Sequence, residues 1–326
     1  AGSVSEVMER CRHLLAIGRT GEAVRLLEEE CVRGGGLHLY NLLGYALYQD
    51  NRIAEAERVL RDALMRFPYS ALLQEAAANM RWLNGDKEHF ADDLLAVVAA
   101  RPREVELRFK CADVLRLAGR LQKAEEILRE GLALNRADVA LGASLGVLLD
   151  EMGRLDEAAT VGRNTLLNFP NDPSLRLAYA HTLLRLGRTE EAAADIAVVR
   201  KAYPEMQLAI THEVMALKQL GDPRHDWLCN YERHIQIHDI GAPPGFSSVA
   251  DFNAALAEHL RGLMERSEHP LGQSLIGGSQ TPNNLVFRND PLLRTYFAAL
   301  AEPIKAYIAA LGDDRAHPMD GRKAKG

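Results

Sequence analysis

Four prolines, Pro68, Pro102, Pro170 and Pro204, stand at separations that are multiples of thirty-four residues, and Arg136 fills the one slot left over. Gly85, Gly119, Gly153, Gly187 and Gly221 repeat with the same period, with Asn51 in the slot before Gly85. Proline and glycine punctuate a backbone at fixed geometric points, so two ladders of one period describe a single supersecondary unit used repeatedly. A chain built this way folds as a stack of like units, each resting on its neighbours.

Between the ladders, small residues recur at Gly44, Ala78, Ala112, Gly146 and Ala180, and again at Ala56, Ala124, Ala158 and Ala192, where two helices must approach closely. Large apolar residues recur at Leu47, Leu115, Leu149, Leu183 and Leu217, and at Leu60, Leu94, Leu128 and Ile196, which gives each helix an apolar face at helical spacing. The unit is a helical hairpin: Gly or Asn permits the left-handed residue that ends the first helix, and Pro stops the second. This pattern resembles the tetratricopeptide repeat, in register from Leu37 to Met206. A further hairpin over 4–36 carries GRTGEA one residue out of step, with Gly34, Gly35 and Gly36 absorbing the slip. A lone first helix over Gln207–Leu220 continues the stack, so residues 1–222 are expected to hold about six hairpins and a capping helix. The third hairpin departs from the pattern, with Arg81 and Phe90 where an apolar and a small residue belong.

The resemblance implies a right-handed superhelix whose concave face, made by the first helix of each hairpin, suits an extended peptide or another protein's helix. The residues expected to face that groove include Asn41, Tyr45, Tyr48, Asn79, Trp82, Phe109, Asp113, Arg116 and His181, with Glu75, Asp150 and Lys218 in the same rows. Exposed Tyr, Trp and Phe make good interface anchors because they bury large area at little rotamer cost. The competing reading is that some of them, Phe109 above all, fill gaps between adjacent hairpins. The paired Lys, Asn and Arg positions of the chaperone-tail-binding subclass are not evident.

Composition narrows the partner. Basic residues number 39 against 45 acidic ones, a formal charge of -6, which gives no electrostatic reason to expect nucleic acid or an anionic membrane. A protein or peptide is the expected partner. Aromatic residues make up 6% of a chain rich in Ala, Leu, Arg and Glu, which favours helices over sheets. Cys11, Cys31, Cys111 and Cys229 are scattered without metal-binding spacing, and a reduced, cytoplasmic setting is expected. No apolar run reaches the roughly 18 residues of a spanning helix, and AGSVSEVMER lacks the features of a secretory signal.

From Asp226 onward the period changes. RHIQIHDI (233–240) alternates polar and apolar residues and reads as a strand; GAPPGF is a turn-rich break; 247–266 reads as an amphipathic helix capped by Ser247 or Ser248. A loop at 269–281, a short extended NLVF and a helix over 290–311 follow. Trp227, Tyr231, PGF at 244–246, Phe252-Asn253, Leu256, Leu260, HPL at 269–271, QSL at 273–275, Gly277-Gly278, Gln280-Thr281, Asp290-Pro291, Tyr307-Ile308 and His317-Pro318 together resemble the opening of a bacterial family of 2-oxoglutarate/Fe(II)-dependent oxygenases that often carry N-terminal tetratricopeptide repeats. Ile276 stands where that family has a basic residue.

The resemblance implies a mainly α chain whose 223–326 segment is a smaller α+β piece, the N-terminal portion of an incomplete double-stranded β-helix domain. Fe(II) and 2-oxoglutarate are implied for the complete family domain, whose iron-binding strands lie downstream of the part seen here. No catalytic residue, metal ligand or cofactor is therefore expected in this chain, and the repeats would recruit a partner to the attached oxygenase. The alternative is a binding scaffold with a C-terminal cap. His234 and His238 share a face on a strand or a helix but lack an obvious third ligand, so they read as half-exposed polar residues; His225-Asp226, His269 and His317 form no triad. The glycine pair at 277–278 lacks the company of a phosphate loop, and the terminal RKAKG reads as a solvated tail.

Overall fold

The computed structural model describes residues 3–264, 271 and 285–320, and every regular element among them is helical. The elements are α1 (Val4–Ala16), α2 (Thr20–Val32), α3 (Leu37–Gln49), α4 (Ile53–Arg66), α5 (Ala71–Leu83), α6 (Asp92–Ala100), α7 (Val105–Leu117), α8 (Leu121–Leu134), α9 (Val139–Glu151), α10 (Leu155–Asn168), α11 (Pro173–Arg185), α12 (Thr189–Ala202) and α13 (Gln207–Leu220). Then come α14 (Arg224–Leu228), α15 (Tyr231–His234), α16 (Val249–Leu263), a 3₁₀ turn (Leu285–Phe287) and α17 (Pro291–Ala310). Two compact units divide the chain: Ala1–Arg120 with Ile240–Leu300, and Leu121–Asp239 with Ala301–Gly326.

The turn inside each hairpin is a helix C-cap. Asn51 (φ 62°), Gly153 (φ 76°) and Gly187 (φ 73°) are left-handed, and the following arginine returns its N–H to the carbonyl five residues back, as in Arg52 N to Leu47 O at 2.8 Å. Asn51 stands where the other turns have Gly because Asn tolerates that region better than other side-chain-bearing residues. That arginine then sits at the start of the second helix without a side-chain cap, and its guanidinium grips a glutamate three residues on: Arg19–Glu22, Arg52–Glu55, Arg154–Glu157 and Arg188–Glu191. Glutamate in a first turn complements the helix dipole. Hydrogen bonds from the paired arginines hold Glu55, Glu157 and Glu191 below the usual carboxylate range.

Pro68, Pro102, Pro170 and Pro204 all lie between helices, and the residue before each is driven off the helical conformation, as at Phe67 (φ -129°, ψ 59°) and Phe169 (φ -133°, ψ 64°). A side chain from the next first helix closes the junction. Gln74 donates to Pro68 O (2.9 Å), Arg108 to Pro102 O (2.7 Å) and Arg176 to Pro170 O (2.6 Å), each reaching back six residues. The core lies between the two helices of a hairpin, where the ladder residues Leu60, Leu94, Leu128 and Ile196 are each at most 2% exposed. The third hairpin accommodates its departures by shortening: α6 has only 9 residues, Phe90 turns inward to 3% exposure, and Arg81 pairs with Asp93 at 2.7 Å.

The α+β expectation for 223–326 is overturned: the described part of that segment contains no strand. Arg233 and His234 belong to the short α15, and 235–240 follows without regular structure, with Ile235 and Ile237 64% and 93% exposed. Alternation at period two marks a segment able to pair, but a strand exists only where a second one supplies the ladder of hydrogen bonds. A double-stranded β-helix is accordingly not part of the fold of the described residues. The expected extended NLVF contributes a 3₁₀ turn through its Leu285–Phe287 portion. The helices expected over 247–266 and 290–311 correspond to α16, capped by Ser248 through Asp251 N at 3.0 Å, and α17. The HPL, QSL, glycine-pair and Gln280-Thr281 motifs and the RKAKG tail lie outside the described residues, save Leu271.

Candidate functional site

Within each compact unit, successive first helices touch one another: α1 with α3, α3 with α5 and α5 with α7 in one, α9 with α11 and α11 with α13 in the other. Second helices make no comparable contact with the next second helix. Closer spacing on one side bends the stack toward it, so first helices line the inner face of each unit.

The residues expected on that face are dispersed among these helices. Asn41, Tyr45 and Tyr48 lie on α3, Asn79 and Trp82 on α5, Phe109, Asp113 and Arg116 on α7, and His181 on α11. Tyr45 is 49% exposed and lies 6.4 Å, ring to ring, from the half-buried Tyr48, which also packs on the hydrophobic core. Trp82 is drawn into the fold: Phe90 meets it edge-on at 5.1 Å and Lys87 Nζ sits 4.3 Å over its ring. Asp113 and Arg116 pair with each other at 2.8 Å, and Lys110 of α7 reaches Glu75 of α5 at 2.8 Å. The buried Oδ1 of Asn79 has no hydrogen-bond partner.

His181 opens onto something the sequence reading did not single out. A pocket of about 500 Å³ lies between α9, α10, α11 and α13, lined by Gly142, Gly146, Gly162, Tyr179, Leu208 and Met215 among others. Two steps of the repeat change size at its wall, where a Cβ at Gly162 would lie 3.2 Å from Tyr179 Cδ2 and one at Gly142 2.5 Å from Thr165 Oγ1. Gly162 occupies the position that Leu60, Leu94, Leu128 and Ile196 fill elsewhere. Gly142 likewise replaces the long side chains of Gln74, Arg108 and Arg176. In α3 and α4 the corresponding contact is full, because a Cβ on Gly44 would meet three atoms of Leu60 at 2.9–3.0 Å. At Gly146 the nearest atom to such a Cβ is Ala158 O, 4.0 Å away. Three of the polar groups around the pocket are satisfied internally: Thr165 Oγ1 donates to Val161 O (2.9 Å), Thr182 Oγ1 to Asp150 Oδ2 (3.0 Å), and Arg185 ion-pairs with Asp150. His212 Nδ1 bonds Leu208 O at 2.7 Å and meets the His181 ring edge-on at 5.4 Å. Burial pushes the His212 imidazole below its ordinary value, which favours the neutral ring.

A second cluster also escaped the sequence reading, which paired His234 with His238. The fold instead brings His234 to His317 and Asp320, with one ligand-capable atom of each within 4.8 Å of the others. His238 makes a separate contact with Gln236 at 3.2 Å. The separation of 83 residues between the two histidines hides this set from any local motif. The set does not fit the open-sided iron site that the oxygenase resemblance implies. His317 Nδ1 accepts the N–H groups of Met319 (3.1 Å) and Asp320 (3.4 Å), and its Nε2 faces Leu228 O at 3.2 Å. The two rings stack at 4.6 Å and 26°, so their in-plane lone pairs run side by side instead of converging. Arg233 Nη2 lies 2.7 Å from Asp320 Oδ2, off the hydrogen-bond direction, and already supplies a positive charge. With Trp227 donating to Asp314 (3.1 Å) and Tyr307 to His234 O (2.9 Å), the cluster is a clasp between α14–α15 and the chain end.

Comparison with known proteins agrees with the hairpin geometry. The family model described as Tetratricopeptide repeat matches residues 9–71 and 144–206, so the chain carries tetratricopeptide repeats. No curated protein matches the sequence. Among solved structures, a tetratricopeptide repeat protein from Parabacteroides merdae is 15% identical, covering 90% of this chain and 98% of its own, at a TM-score of 0.47. PilF of Pseudomonas aeruginosa is 18% identical over 67% of this chain and 96% of its own, at 0.45. A thermophilic tetratricopeptide-repeat protein of Thermus thermophilus is 22% identical over 54% and 96%, at 0.40.

Proposed function

We propose that this chain is a protein-interaction scaffold that holds a peptide or protein segment on the inner faces of its first helices. One observation carries the reading: first helices contact first helices along each compact unit, which merges their side chains into shared surfaces. Tyr45, Tyr48, Asn41 and Asn79 offer one such surface, with Phe109, Asp113 and Arg116 beyond them; His181 belongs to the other. Trp82 contributes there as packing for the third hairpin, because Phe90 and Lys87 already cover it.

Recruitment to a 2-oxoglutarate/Fe(II) oxygenase is a finer role that rests on the sequence resemblance of 227–318 alone. Turnover of 2-oxoglutarate with added Fe(II) would be needed to establish it. No described helix is long and apolar enough to cross a membrane.

The test is a random-peptide selection on the intact protein followed by hydrogen-exchange footprinting. Protection on α3, α5, α7, α9, α11 or α13 is expected, and Tyr45→Ala should weaken peptides bound to the first surface by about 1 kcal/mol or more without lowering stability. Protection confined to second helices, or to 223–320, would refute the reading.

A further inference from the structure

We propose that residues 235–239 are a contact between two copies of this chain, which pair their backbones antiparallel about Gln236 in a two-fold symmetric arrangement. Within one chain the segment belongs to no sheet, and the pairing is a property of two molecules. It uses none of the first-helix residues invoked above.

The segment is open to a partner on both side chain and backbone. Ile237 is 93% exposed, the most of any large apolar residue among those described, and Ile235 is 64% exposed in an extended conformation (φ -114°, ψ 112°). The alternate side chains turn back on their own chain: His234 Nε2 meets Asp320 at 3.3 Å, Gln236 Nε2 donates to Arg233 O at 3.3 Å, and His238 Nε2 meets Gln236 Oε1 at 3.2 Å. Two isoleucines are left facing water. Among the described residues, no partner meets the N–H groups of Gln236, Ile237, His238 or Asp239. An unpaired backbone flanked by exposed isoleucine is a template for another chain.

The sequence says which chain. His-Ile-Gln-Ile-His at 234–238 reads the same in both directions, and the residues flanking it, Arg233 and Asp239, carry opposite charges. Antiparallel pairing about Gln236 sets Ile235 opposite Ile237 of the second copy, Gln236 opposite its own counterpart, and Asp239 toward Arg233. Asp239 has no ion-pair partner among the described residues, and Arg233, with a side chain 42% exposed, keeps donors beyond the pair it makes with Asp320. Moving the centre to Ile237 would instead set Ile235 against Asp239.

The backbone agrees with this register. Ile235 N already bonds Tyr231 O at 2.9 Å, so position 235 falls where an antiparallel pair exchanges no hydrogen bond. Gln236 and His238 then aim their free N–H groups at the second copy. Positions without exchanged bonds bring opposed side chains closest together, and these are the positions of Ile235 and Ile237.

A contact this short is marginal, so the dimer is reversible and needs concentrated protein. Sedimentation of the whole chain over about 10 μM to 1 mM should show the mass rising toward two copies. Ile237→Lys should weaken association about tenfold or more with circular dichroism unchanged, because so exposed a side chain adds nothing to the core. Disulfide capture reads the register. In a Cys229→Ser background, Gln236→Cys should link two copies on mild oxidation, since opposed residues that exchange hydrogen bonds lie about 5.5 Å apart at Cα, within disulfide reach. Asp239→Cys, which does not face itself, should stay unlinked. A chain that remains monomeric throughout, or a dimer indifferent to Ile237→Lys, would overturn the contact. Linking by Asp239→Cys as fast as by Gln236→Cys would show random collision and overturn it equally.

Discussion

Gly44 and Gly146 occupy the same step of the repeat, yet the same substitution should act on them in opposite directions. Replacing helical Gly by Ala gains about 1 kcal/mol by restricting the unfolded chain and improving helix propensity. At Gly44 the new methyl would stand 2.9 Å from Leu60 Cγ and 3.0 Å from each of its Cδ atoms, well inside the roughly 3.5–4.0 Å at which carbons attract. Leu60 is 1% exposed, so its displacement disturbs a filled core and costs about 1–3 kcal/mol. The net effect of Gly44→Ala is then a destabilisation of up to about 2 kcal/mol. At Gly146 the nearest atom is 4.0 Å away, and Gly146→Ala keeps its full gain of about 1 kcal/mol. Native-state hydrogen exchange is the suitable assay, because stacked hairpins open locally and α3–α4 can be read apart from α9–α10. Leu60→Ala supplies the internal control: in that background the methyl at 44 has space, and Gly44→Ala should turn stabilising. Equal stabilisation by both alanines in the otherwise native chain, or an unchanged cost of Gly44→Ala in the Leu60→Ala background, would refute this packing account.

Arg176→Met should cost about 1–3 kcal/mol, because Pro170 O loses its donor and Asp195 its ion-pair partner; an unfolding midpoint that does not move would show the junction bond to be dispensable. Burial lowers the native pKa of His212 from its ordinary 6.5, so below about that pH the unfolded chain takes up a proton that the native chain resists, and stability falls as pH drops toward the lowered native value. His212→Leu should flatten that dependence when midpoints at about pH 7.5 and about pH 5.5 are compared, and an unaltered dependence would count against it. Trp82→Ala should loosen the third hairpin by about 2 kcal/mol or more, whereas lost peptide affinity at unchanged stability would mark Trp82 as an anchor after all. His317→Ala should lower the melting temperature equally with and without a chelator, and a drop in the native protein's own melting temperature on chelation would reveal a bound metal.

The hairpins were legible because their information is local and redundant. Each turn needs one residue that tolerates a left-handed backbone and each junction needs one proline, and both demands show in the residue itself. Segment 233–240 misled for the opposite reason. The alternation in RHIQIHDI states which side chains share a side of an extended chain, but whether it becomes a strand depends on a partner that the alternation does not name. The His234–His317–Asp320 clasp was hidden by distance: its parts are joined only once α14, α15 and the chain end come together.

In a repetitive chain, structure is carried by the residues that agree with the period and specificity by those that break it. Asn51 breaks the glycine ladder and changes nothing, because it still adopts φ 62°. Phe90 breaks the small-residue ladder and is compensated next door, where Trp82 closes over it. Gly162 breaks the leucine ladder and is met from the next first helix, where Tyr179 Cδ2 stands 3.2 Å from the place a Cβ at 162 would take. An uncompensated loss of apolar volume between two helices is destabilising, by about 2–5 kcal/mol for a buried leucine reduced to alanine elsewhere. The buried Tyr179 ring reduces that cost at a step which Leu60, Leu94, Leu128 and Ile196 fill in the other hairpins of the ladder.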